Sequence, residues 1–254
     1  MTITTITNQK GGVGKTTTAH YLGLGLAAKG YAVLLVDADP QTNLSFNLGV
    51  VEDGSATLAS VFKGESSTLD AITHTAHGVD LLKGSLDLAG ADMEYTQLGR
   101  ERMISEALEP VKENYDFILI DTPPALGILT VNALTASNDV IVTMETSINA
   151  IQGLTQLAKT VKDVQKYSNP DLRIIGLLMT RYNPRTILSR ELTKNIEGIA
   201  AQLETCVFEQ TIRDAVAIRT AQTLRENIYT EYSKEKVTQD YRAFTAEYME
   251  KEGF

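Results

Sequence analysis

The sequence predicts an α/β fold, with a doubly wound, mostly parallel sheet covered by helices on both faces. Short apolar runs rich in β-branched residues alternate along the chain with longer segments of helical periodicity, and this alternation is typical of parallel sheets. A glycine-rich segment at residues 8–14 joins the first apolar run to the first helical segment. A strand, a tight glycine loop and a helix in this order are typical of α/β units.

The apolar runs and helical segments divide the chain as follows. Strands are predicted at residues 3–7, 32–36, 79–82, 117–120, 140–143 and 174–179. Helices are predicted at 16–29, 58–62, 101–112, 128–136, 151–167, 187–203, 215–225 and 238–251. Because no linker rich in Pro, Gly or Ser interrupts them, we expect one domain over residues 1–254.

Composition excludes several classes of protein. Hydrophobic residues make up 43% of the 254 residues and charged residues 22%, which is ordinary for a globular domain and argues against disorder. Cys206 is the single cysteine, so neither an internal disulfide nor a cluster of cysteine ligands is expected. The sequence holds no apolar run near the roughly 20 residues that span a bilayer. We therefore expect a cytoplasmic protein without stable membrane association.

The charge of the chain is unevenly distributed. The net charge is −9, which argues against a surface that binds polyanions everywhere. Residues 155–194, however, contain eight basic and three acidic residues, a net charge of +5. This asymmetry permits a local basic patch, although Lys159, Lys162 and Lys166 could equally be the solvated face of a helix.

The loop after the first strand has the residues of a phosphate-binding site. Its glycines allow a tight turn that points backbone N–H groups and a helix N-terminus at phosphate oxygens. A lysine and a hydroxyl at the start of the helix would then pair with the β- and γ-phosphates and ligate Mg²⁺. The predicted nucleotide-binding residues are Lys10, Gly11, Gly12, Val13, Gly14, Lys15, Thr16 and Thr17.

Acidic residues follow two of the predicted strands. Asp37 and Asp39 end the second strand, and Asp121 ends the fourth. Because ligands of open α/β sheets bind at the carboxyl edge of the strands, these carboxylates are expected to face the same crevice. One of the first pair could serve the metal and one the attacking water, while Asp121 would hold Mg²⁺ through a bound water.

The segment K-G-G-V-G-K-T-T at residues 10–17 resembles the deviant P-loop of the ParA/MinD superfamily, because Gln9 occupies the first glycine position of the ordinary P-loop. Residues 121–142, 149–157, 177–186 and 240–249 resemble the ParA/Soj proteins. The resemblance implies a P-loop NTPase that uses ATP and Mg²⁺ and forms a homodimer on ATP binding. Lys10 would reach the nucleotide of the partner subunit and, with Lys15 and Asp39, form the catalytic set. Metal residues would be Thr16, Asp37 and Asp121, and adenine would lie near Thr180 and Arg181.

The resemblance also implies partners. It predicts sequence-independent DNA binding on the nucleoid, and hydrolysis stimulated by a small centromere-binding protein of the ParB type. The chain starts almost directly with the first strand, so no N-terminal helix-turn-helix domain is expected. The predicted DNA contacts are Arg185, Arg190, Arg213 and Arg219. For Arg213 and Arg219, ion pairs with Asp214 or Glu226 are an open alternative.

Two alternatives to a partition ATPase remain open at this point. One is an ATPase that positions a cargo other than DNA, and the other is an inactive nucleotide-binding adaptor. The second is disfavoured because the chain retains Lys10, Lys15, Thr16, Asp39 and Asp121.

Overall fold

The computed structural model describes residues 1–51, 53–183 and 187–254, without the side chains of 148–151 and 187–190. This part of the chain forms one seven-stranded sheet with the order β3-β4-β2-β5-β1-β6-β7. All neighbouring strands are parallel except β3 and β4. The strands are β1 Thr2–Thr7, β2 Val33–Asp37, β3 Ile72–His74, β4 Asp80–Leu82, β5 Phe117–Asp121, β6 Asp139–Met144 and β7 Arg173–Met179. The predicted mostly parallel α/β sheet is confirmed.

Helices connect the strands and cover both faces of the sheet. The α-helices are α1 Lys15–Ala27, α2 Asn43–Asn47, α3 Leu58–Phe62, α4 Thr68–Ala71, α5 Ala91–Glu94, α6 Met103–Leu108, α7 Ile128–Ala136, α8 Ile148–Tyr167, α9 Ile187–Gln202, α10 Val216–Leu224 and α11 Lys236–Glu252. No helix in the described ranges is both long enough and apolar enough to cross a bilayer.

The sequence of the central strand β5 is continuously apolar because both of its faces are buried. Phe117 and Leu119 pack into a core with α1 and α11, whereas Ile118 and Ile120 pack into a second core with α3, α6 and α7. Alternate side chains of a strand point to opposite faces, so a strand buried on both faces has no polar side to show. The same register brings the ends of β2 and β5 together, with Asp37 beside Asp121.

Several short elements differ from the predictions, among them the unpredicted helices α2, α4 and α5. The predicted helix 101–112 is three pieces: a 3₁₀ turn at Arg100–Arg102, then α6, and a second 3₁₀ turn at Lys112–Asn114. Pro110 explains the break, because proline lacks the N–H that a continuing helix needs. The antiparallel edge strand β3 was not predicted, since its three residues are too few to show an alternating pattern.

Candidate nucleotide-binding site

The glycine-rich loop follows β1 and opens α1, as the sequence predicts. Gly12 and Gly14 have φ values of 76° and 80°, which glycine adopts at no steric cost and other residues avoid. α1 begins directly after Gly14, at Lys15. The loop therefore has the tight turn and the helix N-terminus that a phosphate group needs.

Side chains from distant strands hold the loop from behind. The Asn8 amide donates to the Thr143 carbonyl oxygen at 2.6 Å and accepts from the Lys10 N–H at 2.9 Å. The Thr180 hydroxyl lies 2.9 Å from the Val13 carbonyl oxygen and 3.1 Å from that of Met144. The hydroxyl thus lies between the loop backbone and the end of β6, and the predicted place of Thr180 near adenine stays a prediction.

The two lysines of the loop have different surroundings. The Lys15 side chain is buried beneath the loop, where its Nζ donates to the Lys10 carbonyl oxygen at 3.3 Å. Burial lowers the pKa of Lys15, while Asp121 and Asp39 act in the opposite direction. Lys10 is partly exposed, forms an ion pair with Glu145 and lies 3.5 Å from the Ser147 hydroxyl. The Glu145 contact was not predicted, because 135 residues separate the two side chains.

Asp121 and Asp37 lie fully buried at the ends of their strands. Neither Asp121 oxygen has a hydrogen-bond donor of ordinary geometry in the described part of the chain. Burial and the neighbouring Asp37 charge raise the pKa of Asp121 well above its usual range. The Thr16 hydroxyl and Lys15 partly offset this shift. A buried carboxylate without a donor is costly unless a cation balances it.

Asp37 has protein donors instead. Its Oδ2 accepts from the Ser45 N–H at 2.9 Å and the Ser45 hydroxyl at 2.7 Å, and its Oδ1 accepts from the Asp39 N–H at 3.3 Å. Burial raises the pKa of Asp37 to about 6 against these hydrogen bonds. Asp37 thus ties α2 to the end of β2, and its metal role stays a prediction.

A cavity of about 370 Å³ opens in front of the loop. Thr16, Thr17 and Asp39 line it, and the Asp39 Oδ1 accepts from the Gln41 N–H at 2.9 Å. Thr180 and Arg181 line it as well, with Arg181 in a left-handed conformation at φ 48°. The cavity therefore joins most of the predicted nucleotide residues to Asp39, the predicted catalytic carboxylate.

Another side of the cavity comes from a segment far along the sequence. We call residues 212–222, which contain most of α10, the C-terminal wall. The wall lines the cavity with Arg213 and Arg219, which the sequence predicts as DNA contacts, and with residues that no motif marks as nucleotide-binding. The latter include Ile212, Ile218, Gln222 and, from α11, Tyr241.

The predicted DNA contacts fall in two groups. Arg185 lies outside the described residues, and Arg190 is described without its side chain. Arg213 and Arg219 line the nucleotide cavity. The Arg219 Nη1 donates to the Asp214 Oδ1 at 2.9 Å on the exposed surface, whereas Arg213 pairs with Asp240. The structure therefore places both arginines at the cavity in front of the glycine loop, and their DNA contact stays a prediction.

The residues around Asp121 fit Mg²⁺ better than a softer metal. No group of three or more His, Cys, Asp or Glu side chains with metal-binding geometry occurs among the described residues. Mg²⁺ does not need one, since it keeps several waters and uses one or two carboxylates together with phosphate oxygens. The unpartnered carboxylate of Asp121 and the Thr16 hydroxyl beside it are suitable oxygen ligands.

Comparison with known proteins agrees with this geometry. A family model described as an AAA domain matches residues 1–174. The sporulation initiation inhibitor protein Soj of Bacillus subtilis is 43% identical over 198 residues, which are 77% of this chain and 78% of Soj. The chromosome partitioning protein ParA of Caulobacter vibrioides (strain NA1000 / CB15N) is also 43% identical over 198 residues, 76% of this chain and 74% of ParA.

Among solved structures, cobyrinic acid a,c-diamide synthase from Mycobacterium smegmatis with bound ADP and magnesium matches with a TM-score of 0.84. It is 36% identical, and the match covers 96% of this chain and 92% of that one. The family model covers more than half of the residues, and Soj and ParA exceed 40% identity over about three quarters of the chain. The chain therefore belongs to this AAA domain family and is a ParA/Soj-like P-loop protein.

Proposed function

We propose that the chain is a Mg²⁺-dependent ATPase that dimerises on ATP binding and, as a dimer, binds DNA without sequence preference. One observation carries the proposal: a single cavity joins a glycine loop and helix N-terminus to Lys15 and Asp39, next to the buried Asp121. Phosphate-binding groups and unpaired carboxylates in this proximity suit metal-assisted phosphoryl transfer.

ATP binding follows from the loop. The backbone N–H groups of residues 11–16 and the α1 N-terminus receive the phosphates, and Lys15 balances the β- and γ-phosphate charge. Thr17 lies at the start of α1 on the cavity and suits the α-phosphate. Mg²⁺ would be held by Thr16 and, through water, by Asp121, with Asp37 behind them, and would neutralise charge on the phosphate oxygens.

Hydrolysis requires a positioned water and a cation at the transferred phosphoryl group. Asp39 is only 6% exposed but lines the cavity, so its carboxylate can orient a water there. Lys10 would supply the cation to the nucleotide of the partner subunit, as an arginine finger does. In the single chain Lys10 forms an ion pair with Glu145. On dimerisation Lys10 must therefore leave Glu145 and contact the phosphates of the partner's nucleotide.

DNA binding rests on basic residues that a monomer offers only sparsely. Arg219 and the lysines Lys159, Lys162 and Lys166 of α8 are exposed, and Arg185 and Arg190 belong to the same candidate set. The logarithm of affinity for duplex DNA falls by about 0.9 per neutralised phosphate per decade of salt. A dimer doubles the number of phosphates contacted at once, so ATP controls DNA binding through dimerisation.

The relatives support a role in partition. Soj is a sporulation initiation inhibitor protein and ParA is a chromosome partitioning protein by name. We extend this role to the present chain, with a centromere-binding protein of the ParB type as the stimulating partner and the nucleoid as the location. The diamide synthase shows that one fold serves different activities, so the site and not the fold supports the proposal.

The test is co-sedimentation of the wild-type chain with unrelated DNA duplexes, in ATP with Mg²⁺, in ADP and without nucleotide. We expect DNA-bound protein with ATP alone, equal binding to all duplexes and weaker binding as salt increases. ATP turnover without DNA binding under any condition would favour the alternative, an ATPase that positions a different cargo. Equal DNA binding without nucleotide would contradict the ATP switch.

A further inference from the structure

The C-terminal wall, a short non-helical stretch followed by most of α10, is held against the cavity by several distant contacts. Ile212 pairs with the backbone at the end of β7. Its N–H donates to the Met179 carbonyl oxygen, and its carbonyl oxygen accepts from the Tyr182 N–H, both at 2.9 Å. At the other end, the Gln222 amide donates to the Thr17 hydroxyl at 3.1 Å. The wall is thus attached to the sheet at one end and to the nucleotide loop at the other.

Between these two attachments, Arg213 is bound to Asp240 of α11 by three hydrogen bonds. The Arg213 Nε lies 2.6 Å from Oδ2, its Nη2 lies 2.7 Å from Oδ1, and its backbone N–H donates to Oδ2 at 3.2 Å. Two parallel guanidinium bonds to one carboxylate fix the direction of the arginine as well as its distance. The backbone bond fixes the chain at the same point.

Asp240 has little alternative to this partner. Its side chain is 7% exposed, and a buried carboxylate is costly unless it is paired and hydrogen-bonded. The Arg213 side chain is 45% exposed, but the Nε and Nη2 donors that form its fork are committed to Asp240. A phosphate of DNA would have to compete with a nearly buried carboxylate for these two donors, and would otherwise have only the remaining guanidinium N–H groups.

The residue after Asp240, Tyr241, connects α11 to the cavity and to α1. Tyr241 lines the cavity, and its ring lies 5.3 Å from that of Tyr21 on α1. α1 is the helix whose N-terminus forms the phosphate site. The Arg213 contact therefore sets the distance between the C-terminal wall and the helix that holds the phosphates.

We propose that Arg213 is a positioning residue for the nucleotide, which through Asp240 holds the C-terminal wall in place, and that it is not a DNA contact. This inference rests on the proposed ATP binding of the same cavity. It predicts that both partners of the ion pair control nucleotide affinity. Asp240 carries a negative charge and would not attract DNA, so an effect of Asp240 on nucleotide affinity would not come from DNA contact.

The experiment compares the wild type with Arg213→Lys, Asp240→Asn and the double variant, and adds one control variant. Arg213→Lys keeps the positive charge but loses the two-pronged geometry. Glu250→Gln is the matched control for Asp240→Asn, because it changes an exposed carboxylate of the same helix to an amide. Dissociation constants for ATP and for ADP are measured by calorimetry, turnover by phosphate release, and DNA binding by anisotropy at saturating ATP.

We expect each single variant to weaken ATP and ADP binding by about five- to twentyfold, as expected for loss of charged hydrogen bonds to a nearly buried carboxylate. The double variant should be no weaker than the worse single variant, because both changes remove the same contact. The KM for ATP should rise while kcat changes by less than about twofold, since uniform binding is lost. DNA binding by Arg213→Lys at saturating ATP should equal that of the wild type.

Several results would overturn the inference. Unchanged nucleotide affinity in both single variants, or a loss of DNA binding in Arg213→Lys with normal ATP affinity, would return Arg213 to the DNA surface. If Asp240→Asn does not fold, the exposed Arg213→Lys variant alone decides, through its KM and DNA affinity. A wild-type chain that binds no ATP would instead remove the proposed function, which separates the two failures.

Discussion

The phosphate loop and the C-terminal wall line the same cavity, yet they are specified in different ways. The loop takes its conformation from a short run of sequence, with glycines at the two positions of positive φ, Gly12 and Gly14. The wall takes its position from partners elsewhere in the chain, namely Met179, Asp240 and Thr17. A motif search therefore finds one side of the site, whereas the other side requires the fold.

The comparison predicts that the largest effect lies in the loop. Lys15→Ala should reduce ATP affinity by at least about 100-fold, because it removes the buried cation that faces the β- and γ-phosphates. Calorimetric titration with ATP and Mg²⁺ measures the loss. Lys29→Ala is the matched control, since Lys29 is an exposed lysine beyond the end of α1. Similar ATP affinity in Lys15→Ala and the wild type would contradict the assignment of the loop.

A smaller loss of ATP affinity is expected from a change outside the loop, because the loop also depends on distant contacts. Thr180→Val preserves the shape of the side chain but removes the hydroxyl between the Val13 and Met144 carbonyl oxygens. The Met144 carbonyl oxygen keeps the Thr180 backbone N–H as a donor at 2.7 Å. The Val13 carbonyl oxygen loses the hydroxyl, which costs about 1–2 kcal/mol, so we expect roughly tenfold weaker ATP binding.

The control for this change is Thr160→Val. The Thr160 hydroxyl bonds only within α8, to the Gln156 carbonyl oxygen at 3.3 Å, among the contacts the structure records for it. Thermal unfolding without nucleotide separates a general loss of stability from a local change in the loop. If Thr180→Val binds ATP as well as Thr160→Val does, the loop holds its conformation without support from β7.

Much of the fold and one side of the site could be predicted from the sequence. The apolar strands and the loop from Lys10 to Thr17 are local patterns, and the parallel register then brings Asp37 and Asp121 together without further information. Pro110 in the predicted helix 101–112 was a local signal that should have indicated a break. These features follow from residues that are close in sequence.

The remaining features depend on contacts between residues far apart in sequence. Glu145 pairs with Lys10 across 135 residues, and Asp240 pairs with Arg213 across 27. In the sequence Arg213 differs little from Arg219, which makes an exposed contact with Asp214. Only burial of the partner carboxylate distinguishes the two arginines, and burial is a property of the fold.

Asp39 is proposed to orient the water that attacks ATP within the cavity, and single-turnover hydrolysis by Asp39→Ala measures that role. The variant is preloaded with ATP and Mg²⁺, with Asp171→Ala as a control for loss of an exposed carboxylate. We predict ATP binding within about twofold of the wild type and hydrolysis slower by at least about 100-fold, as expected for loss of a water-orienting group. Hydrolysis at the wild-type rate would show that Asp39 is not the water-orienting residue.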